Sequence, residues 1–216
     1  MRIDVISDVV CPWCFIGKRR LTRALELLQA EGSGPEAIEV VWHPFQLNPD
    51  LPAAGMDRHE YVSRKFGPRA AEVYERVAAV GREVGIEFAF DRIPRQPNTL
   101  RAHQLIALAR TQGRQDEMVE SLFRGYFLEG ADLTRADDLL SLAERAGLAP
   151  ELARDRLDDD AERRHVLAED AQARELGVDG VPCFVFAQRL AVSGAQQPQT
   201  LLRAMRQAAT EVQAHT

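Results

Sequence analysis

The first elements of the chain follow from its apolar spacing. In RIDVI, residues 2–6, isoleucine and valine alternate crudely with charged residues, as in a buried strand. From Pro12 the period changes: Leu21, Ala24, Leu25 and Leu28 fall at i, i+3, i+4 and i+7, one face of an amphipathic helix. EGSGP, at 31–35, reads as a stop followed by a loop. AIEVVWHPF, at 37–45, reads as a second strand, closed by the proline-punctuated HPFQLNPDLP. Strand, helix, strand is a βαβ unit, which calls for a right-handed crossover and a parallel pair.

From about Met56 to Ala161 the pattern is helical, with almost no strand candidates and with each segment ended by or near glycine. Within it Thr134, followed by Asp137 and Asp138, reads as an N-cap with acidic first-turn residues that suit the helix dipole. The strand pattern returns in GVPCFVFAQRLAVSG, 180–194, where two apolar runs flank a polar AQR turn as in an antiparallel hairpin. PQTLLRAMRQAATEV closes the chain as a helix with Pro198 near its start. The expected order is βαβ, a helical block, then ββα.

Composition adds exclusions. The 216 residues include 45% hydrophobic and 28% charged residues, enough for one large domain or a small domain with an insertion. A net charge of −6 argues against a general nucleic-acid binder, and no apolar run approaches the length of a membrane span. The opening MRIDVISDVV carries Asp4 and Asp8 inside its apolar stretch, a better strand than a leader, so the expected compartment is the cytoplasm. Three cysteines, Cys11, Cys14 and Cys183, are too few for a disulfide-stapled scaffold.

The chemistry therefore rests on CPWC at the strand-to-helix junction. A disulfide is attacked by a thiolate, so a redox cysteine needs surroundings that favour anionic sulfur. Cys11 precedes Pro12, a residue suited to the first helical position, which sets the Cys11 sulfur at the positive end of the helix. Counting back seven from Leu21 puts Cys14 on the buried face, whereas Cys11 falls at the exposed end. Cys11 is thus the expected nucleophile and Cys14 the resolving thiol. A zinc half-site is the competing use of CxxC, with Cys183 and scattered histidines as the available completing ligands. Strand, CxxC, helix within βαβ plus ββα is a thioredoxin-like arrangement with a large all-helical insertion, in the α/β class. Residues 1–55 and 162–216 would form the thioredoxin-like domain and 56–161 the insertion.

SDVVCPWCFIGK (7–18), WHPFQLNPD (42–50), PNTLRAH (97–103), YFLEGADL (126–133), LGVDGVPCFVF (176–186) and VSGAQ around Ser193 resemble the DsbA-like thioredoxin superfamily, in particular its FrnE-like branch. The resemblance implies a thioredoxin fold interrupted by a helical domain, thiol–disulfide exchange, and roles for Cys11, Cys14 and a cis Pro182 facing them. A cis bond there would expose the Val181 backbone to pair with a peptide or glutathione as an added strand. Pro12, Trp13 and Val181 are the expected substrate contacts, Trp13 offering a flat apolar surface beside the thiol. Where periplasmic oxidants of the superfamily carry Pro-His, this chain has Pro-Trp, and Trp13 adds no charge to steady a thiolate.

Cys183 follows Pro182 directly, within several ångströms of the pair if the proline faces it, and as a strand residue is expected to be an inert buried thiol. His103, on an apolar helical stretch, reads as a satisfied core histidine; Asn48 and Asn98 read as turn or capping residues. GKRR with Arg23 reads as a solvated helix face, with DRLDDDAE at 155–162 as an available ion-pair partner. No tightly bound cofactor is expected beyond the redox-active Cys11–Cys14 disulfide, with glutathione as an available co-substrate. The expected partners are a disulfide-bearing protein, peptide or glutathione, not nucleic acid or membrane, with a homodimer left open. Two further functions stay open: glutathione-dependent isomerase or transferase chemistry of the 2-hydroxychromene-2-carboxylate isomerase and kappa type, whose members carry serine at the nucleophile, and a non-catalytic redox-sensing or zinc-binding module.

Overall fold

The structure, a computed structural model, describes residues 1–31 and 38–213, the side chains of 211–213 excepted. A four-stranded sheet is ordered β2–β1–β5–β6. β1 (Arg2–Ser7) and β2 (Glu39–Pro44) are parallel and joined through α1 (Pro12–Ala30). The EGSGP loop, apart from Glu31, lies outside the described residues. β5 (Cys183–Phe186) pairs antiparallel with β1, Ile3 opposite Phe186 and Ile6 opposite Cys183, and with β6 (Leu190–Ser193). The AQR turn is built as predicted: Ala187 and Gln188 take φ of 49° and 58°, and Arg189 N–H donates to the Phe186 carbonyl at 3.0 Å, a type I′ geometry whose twist suits a hairpin.

Between the two halves of the sheet run α2 (Arg58–Phe66), α3 (Ala70–Glu83), α4 (Leu100–Thr111), α5 (Gln115–Arg124), α6 (Ala136–Arg145) and α7 (Pro150–Leu157). α8 (Asp160–Glu175) and α9 (Pro198–Gln213) complete the helices. α8 begins before position 162, so the expected division at 161/162 would fall inside its first turn. The middle is not wholly helical: β3 (Met56–Asp57) and β4 (Arg95–Gln96) form a two-stranded antiparallel pair too short for any periodicity to announce. Arg135 rather than Thr134 holds the N-cap position of α6, without a side-chain capping bond, and the Thr134 hydroxyl donates to Asp132 instead; Asp137 and Asp138 do occupy the first turn. No helix among the described residues is long and apolar enough to cross a membrane.

Strand alternation gives the sheet two differently packed faces. Ile3, Val5 and Phe184 enter the main core with α1 and α9, all three buried. Ile6 and Cys183 face the other way and pack with Phe45 and Ala173 of α8. α1 is tied to the helical stretch by aromatic packing: Phe15 stacks on Phe123 with centroids 5.0 Å apart and meets Phe88 edge-on at 6.1 Å. Two basic residues of GKRR reinforce this and overturn the expectation of a solvated face. Lys18 is buried and paired with Asp116 at 2.8 Å and Glu120 at 3.3 Å; Arg20, also buried, donates to the Ala195 carbonyl. The acids of Lys18 lie on α5 and that of Arg20, Glu83 at 3.9 Å, ends α3, so neither is met by residues 155–162; Arg23 alone of the set stays exposed, paired with Glu26.

Candidate active site

Cys11 is the N-cap of α1, with extended backbone (φ −92°, ψ 111°) and Pro12 at the first helical position. Its N–H donates to the Asp8 carbonyl at 3.0 Å, and its carbonyl accepts from Cys14 N–H at 3.0 Å, so the turn holds both cysteines at the head of the helix. The Cys11 thiol donates to the Val181 carbonyl at 3.6 Å, and the Val181–Pro182 peptide is cis. Helix and strand approach closely here because α1 carries glycine at position 17: a β-carbon there would lie 2.9 Å from Pro182 Cγ and 3.1 Å from Phe184 Cζ.

Cys14 is fully buried, and its thiol lies far above the usual thiol range in titration: burial acts first, then its hydrogen bond and charge interaction with Cys11, against smaller opposing contacts from the Ser7 side chain and the Asp8 backbone. Both cysteines are free thiols. Sequence spacing places Cys11 at the exposed end of the helix, yet only 5% of it is accessible. The helical stretch covers the thiol: Cys11, Pro12 and Trp13 floor a cavity of about 270 Å³ whose other walls include Arg58, Tyr61 and Lys65 of α2 and Tyr74 of α3. Trp13 is half-buried, packed at the edge of the core and facing this cavity at once.

Cys183 is buried but does not face the pair. Alternation along β5 turns it to the opposite side of the sheet from Phe184, and burial together with Asp179 pushes its thiol up. Among the described residues, no group of three His, Cys, Asp or Glu side chains is arranged to hold a metal ion.

The residues around the pair that spacing did not single out are Ser7, Asp8, Gly17 and Arg58. Asp8 is completely buried and accepts from Leu47 N–H at 2.7 Å, which fixes the loop after β2 beside the site. Its other carboxylate oxygen lies 3.4 Å from His103 Nε2, with neither atom hydrogen-bonded, so His103 is a core residue facing a buried acid rather than a fully satisfied one. Both asparagines act at turns: Asn98 accepts from Leu100 N–H and donates to the Pro49 and Leu51 carbonyls, while Asn48 opens a turn by accepting from Leu51 N–H at 3.2 Å through its backbone carbonyl and accepts from the Tyr61 hydroxyl at 3.2 Å through its side chain.

A family model described as the DSBA-like thioredoxin domain matches residues 2–206. The chain belongs to this family. A crystal structure of a probable DsbA oxidoreductase from Streptomyces coelicolor is similar at 30% identity and a TM-score of 0.87, covering 98% of this chain and 91% of that one. A 2-hydroxychromene-2-carboxylate isomerase matches at 18% identity and a TM-score of 0.69 over 100% of both chains. The cytosolic disulfide reductase DsbM from Pseudomonas aeruginosa matches at 17% identity and a TM-score of 0.64, over 100% of this chain and 98% of that one. At the last two identities the likeness speaks for the DsbA-like fold alone, which oxidoreductases and an isomerase share.

Proposed function

We propose that this member of the DsbA-like family is a dithiol–disulfide oxidoreductase. The observation that carries the reading is the placement of Cys11 as N-cap of α1, in contact with both Cys14 and the Val181 carbonyl. Cys11 thiolate attacks one sulfur of a disulfide RS–SR′, forming the Cys11–SR mixed disulfide and expelling R′S⁻, which takes a proton from water. Cys14, its proton lost to solvent, attacks the Cys11 sulfur and expels RS⁻. Two electrons have passed to the substrate, and the pair is left as the Cys11–Cys14 disulfide. Two equivalents of a low-molecular-weight thiol such as glutathione return it to the dithiol. Val181 aligns the substrate through its backbone, Pro182 forms the wall facing the pair, and Pro12 and Trp13 line the entry.

Reduction is the direction that suits a CxxC pair kept as the dithiol in the cytoplasm, the compartment expected for this chain. DsbM, a cytosolic disulfide reductase of the same fold whose structure with glutathione is known, supports both that direction and glutathione as co-substrate.

Trapping tests the roles. Cys14→Ser, mixed with a disulfide, should accumulate a mixed disulfide on Cys11 visible by mass; Cys11→Ser should accumulate none. Full exchange activity in Cys11→Ser would sink the reading. Glutathione-dependent turnover of a non-disulfide substrate by Cys14→Ser would favour the isomerase or transferase class instead.

A further inference from the structure

Resting on that exchange reading, we infer that the substrate is a small disulfide bearing carboxylates, selected by Lys65 and Arg58 of α2. Cys11 is 5% accessible and floors a cavity of about 270 Å³, so its thiol is recessed and a small disulfide reaches it more readily than one held in a folded protein. Among the described residues none that lines that cavity is acidic; Arg58 and Lys65 are its charged groups.

Neither cation is neutralised by its surroundings. Arg58 donates to Gln96 Oε1, to the Tyr74 hydroxyl at 2.7 Å and to the Tyr126 hydroxyl at 3.5 Å, all uncharged acceptors. Lys65 donates to the Tyr61 hydroxyl at 2.8 Å and lies 5.2 Å from the centre of its ring. Among the described residues neither forms an ion pair with an acid, unlike Lys18 and Arg19 of α1. The acids that open α2 are engaged elsewhere: Asp57 caps the helix by accepting from Glu60 N–H, and Glu60 pairs with Arg64. In a chain of net charge −6, two unpaired cations over the nucleophile form a local anion-attracting field. The half-buried guanidinium, held in place by tyrosine and glutamine, sets a fixed positive charge in the cavity wall; the exposed ammonium steers an anion in.

The test is a single turnover, which needs no recycling thiol. Pre-reduced protein is mixed with 3,3′-dithiodipropionate, 2-hydroxyethyl disulfide, cystamine or insulin, and each rate is divided by that of a free model thiol to remove leaving-group differences. The expected normalised order is anionic, neutral, cationic, with about tenfold between the first two at low salt. That ratio should collapse near 0.5 M salt, where screening shortens to a few ångströms, roughly. In Lys65→Glu it should fall to about one or invert. Equal normalised rates for anionic and neutral disulfides, or faster reaction with insulin than with the dicarboxylate, overturn the inference and leave the exchange reading intact. If no disulfide reacts, neutral or charged, the exchange reading itself fails.

Discussion

Gly17 and Pro182 occupy space that admits no β-carbon between them: one placed on Gly17 would stand 2.9 Å from Pro182 Cγ. Gly17 sits in the interior of α1, where glycine weakens a helix relative to alanine, so the position trades helix propensity for close approach. Gly17→Ala should therefore lower stability, the overpacking cost of about 1–3 kcal/mol exceeding the propensity gain. It should also slow exchange by pushing Pro182 and Val181 away from Cys11. Denaturant unfolding and a single-turnover rate on the same variant check both; a stabilised, fully active variant would show that the contact relaxes without consequence.

Cys14 couples the site to pH. Its folded thiol holds its proton more tightly than an unfolded one, so this stabilisation of the reduced protein is fully present below the unfolded value of about 8.5 and is lost as pH rises from there toward the folded value. The reduced wild type should lose stability above about pH 8.5 more steeply than reduced Cys14→Ser. Denaturant midpoints of both across that range decide it, and parallel curves would mean that Cys14 is not held protonated by the fold.

Cys183, packed with Ile6, Phe45 and Ala173 behind the sheet, should take no part in exchange. In the native reduced protein, iodoacetamide should modify Cys11, which faces the site cavity, faster than Cys183, whose thiol burial and Asp179 push up. Cys183→Ala should cost about 1 kcal/mol and leave the redox behaviour of the pair unchanged. Rapid native labelling of Cys183, or a changed potential in the variant, would place it in the redox system.

The sheet and its crossover helix were legible because Ile3, Val5 and the Leu21–Leu28 stripe each obey a single period. CPWC at the helix start pointed to the pair through local helix-terminus chemistry, whereas Pro182 as its facing partner came from the family resemblance alone. What the sequence did not show depends on residues far apart in the chain. The burial of Cys11 comes from α2 and α3, the neutralisation of Lys18 from Asp116 and Glu120 on α5, and the role of Gly17 from Pro182. The side of the sheet that Cys183 takes needed only the period of a strand, since the residue next to Phe184 must face away from it.

Redox titration of the Cys11–Cys14 pair in glutathione buffers, read by thiol alkylation and mass, tests the central claim most directly. The account predicts one reversible two-electron transition to the intramolecular disulfide, of about 30 mV per decade and nearer thioredoxin's potential of about −270 mV than DsbA's of about −120 mV; Cys11→Ser and Cys14→Ser form no intramolecular disulfide, and Cys14→Ser gives only a glutathione adduct on Cys11, distinguished by its mass. The absence of a reversible intramolecular disulfide in the wild type, or a glutathione adduct on Cys14 rather than Cys11, would contradict it.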